Sequence, residues 1–167
     1  MSTDHASDRA SEVTVLQPMS AAQHHAWRTD AIADYAAGKI AARQWRPADA
    51  QQLAQKEFEA LLPHGIDTPD HFLMTMVDAQ QRAVGVLWFA IVQRLDQRVA
   101  YVYDVTVAQP YRRQGHAARA FLALQDDAKQ RGLAGIALHV FGQNTGARAM
   151  YDKLGFAPTN LNLFKPL

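Results

Sequence analysis

The chain has 167 residues, a formal charge of +1 and no cysteine, which suits one folded domain and excludes disulfides, thiolate metal sites and a cysteine nucleophile. Its basic side chains are scattered apart from Arg112-Arg113, so the charge pattern excludes a nucleic-acid-binding footprint. No apolar run approaches the roughly 20 residues of a membrane span, and the N-terminus lacks the apolar core of a signal peptide. We therefore expect a cytoplasmic protein with a disordered tail over residues 1–12 and one domain over residues 13–167.

The first third of the chain predicts one strand and two helices. Ser20 precedes a helical stretch in the position of an N-cap, and Gly38 follows it where glycine commonly ends a helix. Pro47 is well placed as the first residue of a second helix, which Pro63 stops. The predicted elements are a strand at 13–17, helices at 21–37 and 47–62, and a loop at 64–70.

The middle and end of the chain predict a mixed sheet. Short polar turns separate three apolar segments at 71–77, 83–92 and 99–108, a spacing that favours an antiparallel meander. The pattern then changes to alternating helices and strands, which is typical of an α/β domain. These predicted elements are a helix at 116–131, a strand at 136–141, a helix at 145–154 and a last strand near 160–164.

The segment between the third meander strand and the following helix is the most informative part of the chain. Its Arg112-x-x-Gly115-x-Ala117 pattern joins a strand to the start of a helix through a turn. The first turn of a helix leaves backbone N–H groups without partners and carries about half a positive charge. Because Gly115 lacks a Cβ atom and Ala117 and Ala118 are small, a phosphate could approach these groups closely.

A second segment, residues 135–156, carries a motif that strengthens the interpretation of this turn. It predicts a strand, an asparagine at a turn and a short helix that carries a tyrosine. Together the two segments resemble the GCN5-related N-acetyltransferase (GNAT) superfamily. The resemblance is carried by three patterns: Val105-x-Val107, Arg112-x-x-Gly115-x-Ala117, and Asn144-x-x-Ala147-x-x-Met150-Tyr151-x-x-Leu154-Gly155-Phe156.

The resemblance implies a single-domain α/β GNAT fold. Its mixed central sheet would have an antiparallel N-terminal meander, and helices would flank two parallel strands that splay apart at their carboxyl ends. It implies an acyl-CoA-dependent N-acyltransferase, with acetyl-CoA as cosubstrate and no metal. An amine would attack the thioester directly in a ternary complex, and no residue would act as a covalent nucleophile. Dimerisation through the last strand is a further possibility that the resemblance offers.

The resemblance also assigns a cofactor site to the two segments. Backbone N–H groups of the helix start would hold the pyrophosphate, and a bulge in the preceding strand would free an N–H group for the thioester carbonyl. The side chain of Asn144, which could equally cap the last helix, would contact the cofactor arm. The expected cofactor-binding residues are Val105, Thr106, Val107, Arg112, Arg113, Gln114, Gly115, His116, Ala117, Ala118, Asn144 and Tyr151.

Tyr151 is the candidate general acid. A thiolate leaving group has a pKa of roughly 8.5 by analogy with cysteine, and a phenol of pKa roughly 10 can protonate it or donate a hydrogen bond to it. The position of Tyr151 after Asn144 and before Gly155-Phe156 favours this role. Without those flanking residues, an aromatic side chain on a short helix would be interpreted as part of the core.

The general base has three candidates. An alkylamine with a pKa of roughly 10.4 is mostly protonated at neutral pH, so a side chain or a water relay must accept its proton. Asp104 lies one residue before the strand end, Glu57 lies on the second helix, and His139 lies within the strand at 136–141. Alternation predicts that the Asp104 and Thr106 side chains share one face unless a bulge reorients them.

The sequence leaves the acceptor open. Trp27, Tyr35, Trp45 and Trp88 are aromatic candidates for its pocket, although Trp88 is more typical of the core. A small-molecule amine is favoured over a protein N-terminal or lysine amine. A CoA-binding module without catalysis is the alternative from another class, and the presence of Tyr151 argues against it. A P-loop nucleotide binder is disfavoured because its Gly-x-x-x-x-Gly-Lys-Ser/Thr pattern is absent.

Overall fold

A five-stranded mixed sheet forms the centre of the computed structural model, which describes residues 13–167. The strands follow one another across the sheet in chain order, antiparallel from β1 to β4, and β5 is parallel to β4. The expected tail at residues 1–12 lies outside the described residues. The strands are β1 (Thr14–Pro18), β2 (His71–Asp78), β3 (Ala83–Arg94), β4 (Gln97–Val107) and β5 (Ile136–Leu138).

Four α-helices cover the two faces of this sheet. Ser20 caps the first of them in a capping box with Gln23, and Pro47 begins the second, as the sequence predicts. Two short 3₁₀ turns, Gly65–Asp67 and Gln109–Tyr111, precede β2 and follow β4. The helices are α1 (Ala21–Ala41), α2 (Pro47–Leu61), α3 (His116–Gln130) and α4 (Thr145–Lys153).

Alternation along β3 divides the core into two layers. Trp88 packs with α1 and α2 through Trp27 and Phe58 on one face. On the other face Leu87 and Phe89, its sequence neighbours, pack in the layer that α3 and α4 complete. Adjacent residues of β3 therefore point to opposite faces of the sheet and contribute to different layers of the core. The mixed α/β sheet and its antiparallel meander, expected from the sequence, are confirmed.

The structure corrects four sequence expectations. The first helix continues through Gly38 to Ala41 instead of ending at the glycine. The strand predicted at 136–141 ends at Leu138, so His139 lies just beyond it. No strand forms at 160–164, where the side chains remain exposed. The bulge expected at 105–107 lies two residues earlier, where Tyr103 is the extra residue of β4 opposite β3.

The bulge at Tyr103 decides which way the end of β4 faces. Without it, alternation would place Asp104 on the same face as Val102, toward α3 and α4. The extra residue instead lets Tyr103 stack on Trp88 at 4.7 Å and lets Asp104 also face α1. The bulge therefore reverses the face of the sheet toward which the side chains from Asp104 onward point, compared with the alternation at the start of β4.

Candidate active site

A cleft of about 590 Å³ opens where β4 and β5 separate. The parallel ladder between them joins only residues 100–102 to residues 136–138, so β4 continues to Val107 without a partner on that edge. The expected splay is therefore present. The cleft brings together six of the predicted catalytic and cofactor-binding residues, together with the base candidate His139 and the aromatic candidates Tyr35 and Trp88. The six are Glu57, Asp104, Val105, Thr106, Asn144 and Tyr151.

The turn before α3 carries the candidate anion site. Arg113 and Gly115 both have positive φ angles, 64° and 80°, and Gly115 is the N-cap of the helix. None of the backbone N–H groups of residues 113–118 donates a hydrogen bond within residues 13–167. Six adjacent donors at a helix N-terminus form the arrangement that binds phosphate oxygens. This turn and Val107 are not among the residues that line the cleft.

The side chains of this turn mostly brace it. Arg112 donates from Nε to the carbonyl of Val107 at 3.0 Å, and Gln114 donates to the carbonyl of Pro110 at 3.1 Å. The His116 ring is buried and shares a hydrogen bond of 2.9 Å with Thr14 of β1. Only the Arg113 side chain is exposed and makes no such bond within the described chain. Arg113 is thus the side chain of this turn with no hydrogen bond to the described residues, while the exposed Arg112 uses only its Nε donor there.

Arg119 is a residue of this region that the sequence interpretation missed. Its guanidinium donates to Thr14 Oγ1 at 3.0 Å and to the carbonyl of Gln114 at 2.8 Å. A Cβ atom placed on Gly115 would lie 2.7 Å from Arg119 Nη1 and would displace the end of that flexible side chain, so it is the left-handed φ angle that favours glycine here. The four-residue spacing from Gly115 could have indicated the contact, because it places both on one helix face.

Asp104 is held by two hydrogen bonds on the α1 side of the cleft. Trp27 Nε1 donates to its Oδ2 at 2.8 Å, and Thr106 Oγ1 donates to its Oδ1 at 2.8 Å. Thr106 and Asp104 therefore share a face, as the alternation predicts. Burial raises the pKa of Asp104 and the negative charge of Asp34 adds to this, although both hydrogen bonds oppose the shift. Asp104 borders the cleft, so part of it stays accessible while protein surrounds the rest.

Tyr151 lies on α4 at the opposite wall of the cleft. Its ring packs edge-on against Phe121 at 5.4 Å and is almost fully buried, and its hydroxyl makes no hydrogen bond to the described residues. Burial, and then the charge of Asp104, raise the pKa of Tyr151 to about 12. The phenol therefore keeps its proton at neutral pH and has a free donor.

The part of the cleft between α1 and α2 is aromatic and carries Glu57 of α2. Tyr35 donates its hydroxyl to Glu57 at 2.6 Å, and burial followed by this bond raises the pKa of Tyr35. The Lys39 ammonium lies 5.2 Å from the ring centroids of both Tyr35 and Trp45. Trp27 and Trp88 belong to the core beneath the cleft. Of the aromatic candidates, Tyr35 and Trp88 border the space itself.

The remaining candidates lie on the loop after β5. Asn144 caps α4, since its Oδ1 accepts from the Ala147 N–H at 3.2 Å, and it also borders the cleft. The exposed His139 ring packs edge-on against Phe141 at 5.0 Å. Phe141 was not foreseen as a site residue. Its contact with Gly38 of α1, described below, has no sequence signature beyond a glycine inside a helix.

Residues 13–167 lack the features of a metal site and of a helix that spans a membrane. No group of three or more His, Asp or Glu side chains is arranged there to hold a metal ion. None of the helices in that range combines the length and apolar character that crossing a bilayer requires.

Comparison with known proteins gives this geometry a family. The model of the acetyltransferase (GNAT) family matches residues 34–156, which is more than half of the chain. The chain belongs to the GNAT family of acetyltransferases.

Relatives of this GNAT chain include proteins that match almost its full length. The uncharacterised N-acetyltransferase YycN of Bacillus subtilis is 35% identical over 92% of this chain and 98% of its own length. YdgE of the same organism, also an uncharacterised N-acetyltransferase, is 28% identical over 91% and 97%. The crystal structure of YycN superposes with a TM-score of 0.87, covering 93% of this chain and 99% of YycN. The protein is thus a GNAT N-acetyltransferase, and members of this family use acetyl-CoA.

Proposed function

We propose that this protein transfers the acetyl group of acetyl-CoA to the primary amine of a small molecule. The observation that carries the proposal is the cleft at the end of the β4–β5 ladder, in which Asp104 and Tyr151 border the same space. A carboxylate can accept the proton that the attacking amine releases, and a protonated phenol bordering the same space can donate a hydrogen bond to the departing sulfur.

The turn before α3 suits the pyrophosphate of CoA. Its free N–H groups at residues 113–118, the left-handed Gly115 and the exposed Arg113 side chain would bind the phosphate oxygens. Ala117 and Ala118 keep the approach open. The thioester would then lie along the unpaired edge of β4 at Val105, Thr106 and Val107, where a backbone N–H group could stabilise negative charge on the carbonyl oxygen.

We propose Asp104 as the base. The amine nitrogen attacks the thioester carbonyl, forms the C–N bond and gives up a proton, while the C–S bond breaks. Asp104 would accept that proton directly or through a water molecule, and its raised pKa makes it a stronger base than an ordinary carboxylate. Glu57 is bonded to Tyr35, which suits it to binding the acceptor as well as to taking a proton.

Tyr151 would stabilise the departing sulfur of CoA. With a pKa of about 12, its phenol is a weaker acid than a thiol of pKa roughly 8.5, so complete proton transfer would cost about 5 kcal/mol. Donation of a hydrogen bond to the developing thiolate avoids most of that cost, and solvent can supply the final proton. Asn144 lies close enough to the same space to contact the cofactor arm.

A small acceptor is favoured over a protein amine because helix α1 and the loop after β5 meet over the cleft. Gly38 and Phe141 are in contact there, and a peptide chain would need more room. The alternative in the same class is a protein N-terminal or lysine acetyltransferase. A CoA-binding module without catalysis is the alternative outside it, and the free hydroxyl of Tyr151 argues against that function.

A panel of amines with acetyl-CoA, with release of free thiol as the readout, tests the proposal. Small primary amines should give thiol release that depends on both substrates, and Tyr151→Phe should lower it. Activity only with peptides would replace the small-molecule acceptor by a protein. CoA binding without transfer to any amine or peptide would favour the non-catalytic module.

A further inference from the structure

The glycine inside α1 points to an unassigned role for the loop after β5. Glycine in a helix interior costs about 1 kcal/mol relative to alanine, so Gly38 has a packing or functional reason. An added Cβ atom would lie 3.1 Å from Phe141 Cε2, closer than ordinary contact allows. The glycine therefore leaves a recess on α1 in which the Phe141 ring lies.

The side of α1 that holds this recess is the side that borders the cleft. Ala31, Asp34, Tyr35 and Gly38 follow at helical spacing and all line the same space. Phe141 lines it from the opposite side, three residues after the last paired residue of β5. The Gly38–Phe141 contact thus spans the gap between α1 and β5 that the separation of β4 and β5 leaves open.

The ring of Phe141 is positioned by its own loop and not by the core. It belongs to neither apolar layer of the domain and is only half-buried. Its other aromatic neighbour is His139, at 5.0 Å and nearly perpendicular. Its backbone carbonyl accepts from the Asn144 N–H at 2.9 Å, which ties it to the N-cap of the helix that carries Tyr151.

We infer that Phe141, seated on Gly38, is a specificity-determining residue that limits the size of the amine this enzyme accepts. The inference rests on the proposed function. The ring lies between α1 and the loop after β5 and lines the same cleft as Tyr35 and Glu57, where the acceptor would bind. A bulkier amine would have to displace it, whereas a small amine would pass beneath the contact.

Steady-state kinetics with a series of primary amines of increasing bulk tests the inference. Phe141→Ala should raise kcat/KM for bulky relative to small amines by at least about tenfold, the usual scale for a few carbon atoms in a pocket. Phe141→Leu should give an intermediate ratio, and the KM for acetyl-CoA should change little. Phe72→Ala is the matched control, because Phe72 is a half-buried ring outside the cleft that stacks on Phe89.

Gly38→Ala provides a second test of the inference. The added methyl group should push the Phe141 ring by a few tenths of an ångström and change the bulky-to-small ratio. In the Phe141→Ala background the same methyl group meets no ring and should change the ratio little, so the two substitutions should be non-additive.

The outcomes separate the inference from the function on which it rests. An active wild type whose bulky-to-small ratio is unchanged in Phe141→Ala, or changed equally in Phe72→Ala, overturns the specificity role and leaves the acetyltransferase intact. A wild type that transfers acetyl to no small amine removes the proposed function, and the inference with it.

Discussion

Trp27 and Asp104 lie 77 positions apart in the chain and meet in a hydrogen bond of 2.8 Å from the indole N–H to the carboxylate. The bond joins α1, which borders the side of the cleft where we propose that the acceptor binds, to the end of β4, where the thioester would lie. It also fixes one oxygen of the candidate base, while Thr106 fixes the other. A carboxylate with both oxygens held in this way is oriented before any substrate binds.

Replacement of Asp104 by asparagine should lower kcat and leave CoA binding intact. A positioned base contributes roughly 10²- to 10⁴-fold, so a loss in that range is expected, together with loss of the acid limb of the rate–pH profile. Calorimetric titration with CoA and a pH series of initial rates measure the two effects. Trp27→Phe is the companion variant, because removal of a bond that favours the carboxylate should move the acid limb to higher pH. A wild-type profile in Asp104→Asn would transfer the role to Glu57, His139 or water.

The same substitution should change the pH dependence of stability in a defined direction. The pKa of Asp104 is raised in the folded protein, so the folded state binds the proton more tightly than the unfolded chain. The wild type should therefore lose stability as pH rises from the unfolded value of about 3.9 through the folded pKa. Urea unfolding at several pH values measures the free energy of unfolding of both proteins. The value for Asp104→Asn should rise relative to that of the wild type across that window, and the difference should be constant above it. Parallel curves for the two proteins would contradict the shift.

Tyr151→Phe should lower kcat by about two orders of magnitude, with little change in the KM for acetyl-CoA. The hydroxyl has no partner among the described residues and would act only on the departing sulfur, so its loss should appear in turnover rather than binding. The ring remains to pack against Phe121, and the melting temperature should therefore stay close to that of the wild type. Pre-steady-state measurement should first establish that chemistry limits the rate. An unchanged turnover number under that condition would remove Tyr151 from the mechanism.

The order of elements and the two motif segments could be predicted because they depend on local pattern. Ser20, Pro47 and Asn144 each occupy the cap or first-turn position that their chemistry favours. The orientation of Asp104 could not be predicted, since the extra residue at Tyr103 is set by pairing with β3 and leaves no mark in the composition of the strand.

The prediction that Gly38 ends the first helix was wrong for a related reason. A glycine after a helical stretch commonly ends the helix, and only the tertiary contact with Phe141, about a hundred positions later, shows why this one lies inside it. The prediction of a strand at 160–164 was wrong for a different reason. Residues 160–164 have an alternating pattern but meet no neighbouring strand in the described chain, and a strand needs a partner for its backbone groups.

Arg113→Gln should weaken CoA binding without affecting the fold. The Arg113 side chain is exposed at the turn before α3, so its charge would attract the phosphates in contact with solvent. We therefore expect a modest loss of CoA affinity, of about three- to tenfold. The loss should shrink as salt concentration rises, because such charges are screened. Arg98→Gln, an exposed arginine at the start of β4, is the control. Equal effects of the two substitutions on the calorimetric Kd would place the phosphates elsewhere.

The C-terminal segment should mediate the homodimer that the family resemblance suggests. Leu161, Leu163 and Phe164 are 72–91% exposed, an unusual state for three large apolar side chains so close together. A groove of about 480 Å³ beside β5, lined by Phe121, Ile136 and other apolar residues, offers a surface of matching character on a second copy. The full chain should therefore elute as a dimer in light scattering coupled to gel filtration.

Deletion of residues 158–167 should convert that dimer to a monomer and leave the domain folded, because the segment buries little against its own chain. Leu163→Asp should have the same effect by placing a charge in the apolar contact. Asn162→Asp adds the same charge one position away, at a position that is already polar, and should preserve the dimer. Analytical ultracentrifugation across a concentration series measures the shift in the dissociation constant. A full chain that is monomeric at the highest concentration, or a deleted chain that still dimerises, would exclude this segment as the interface.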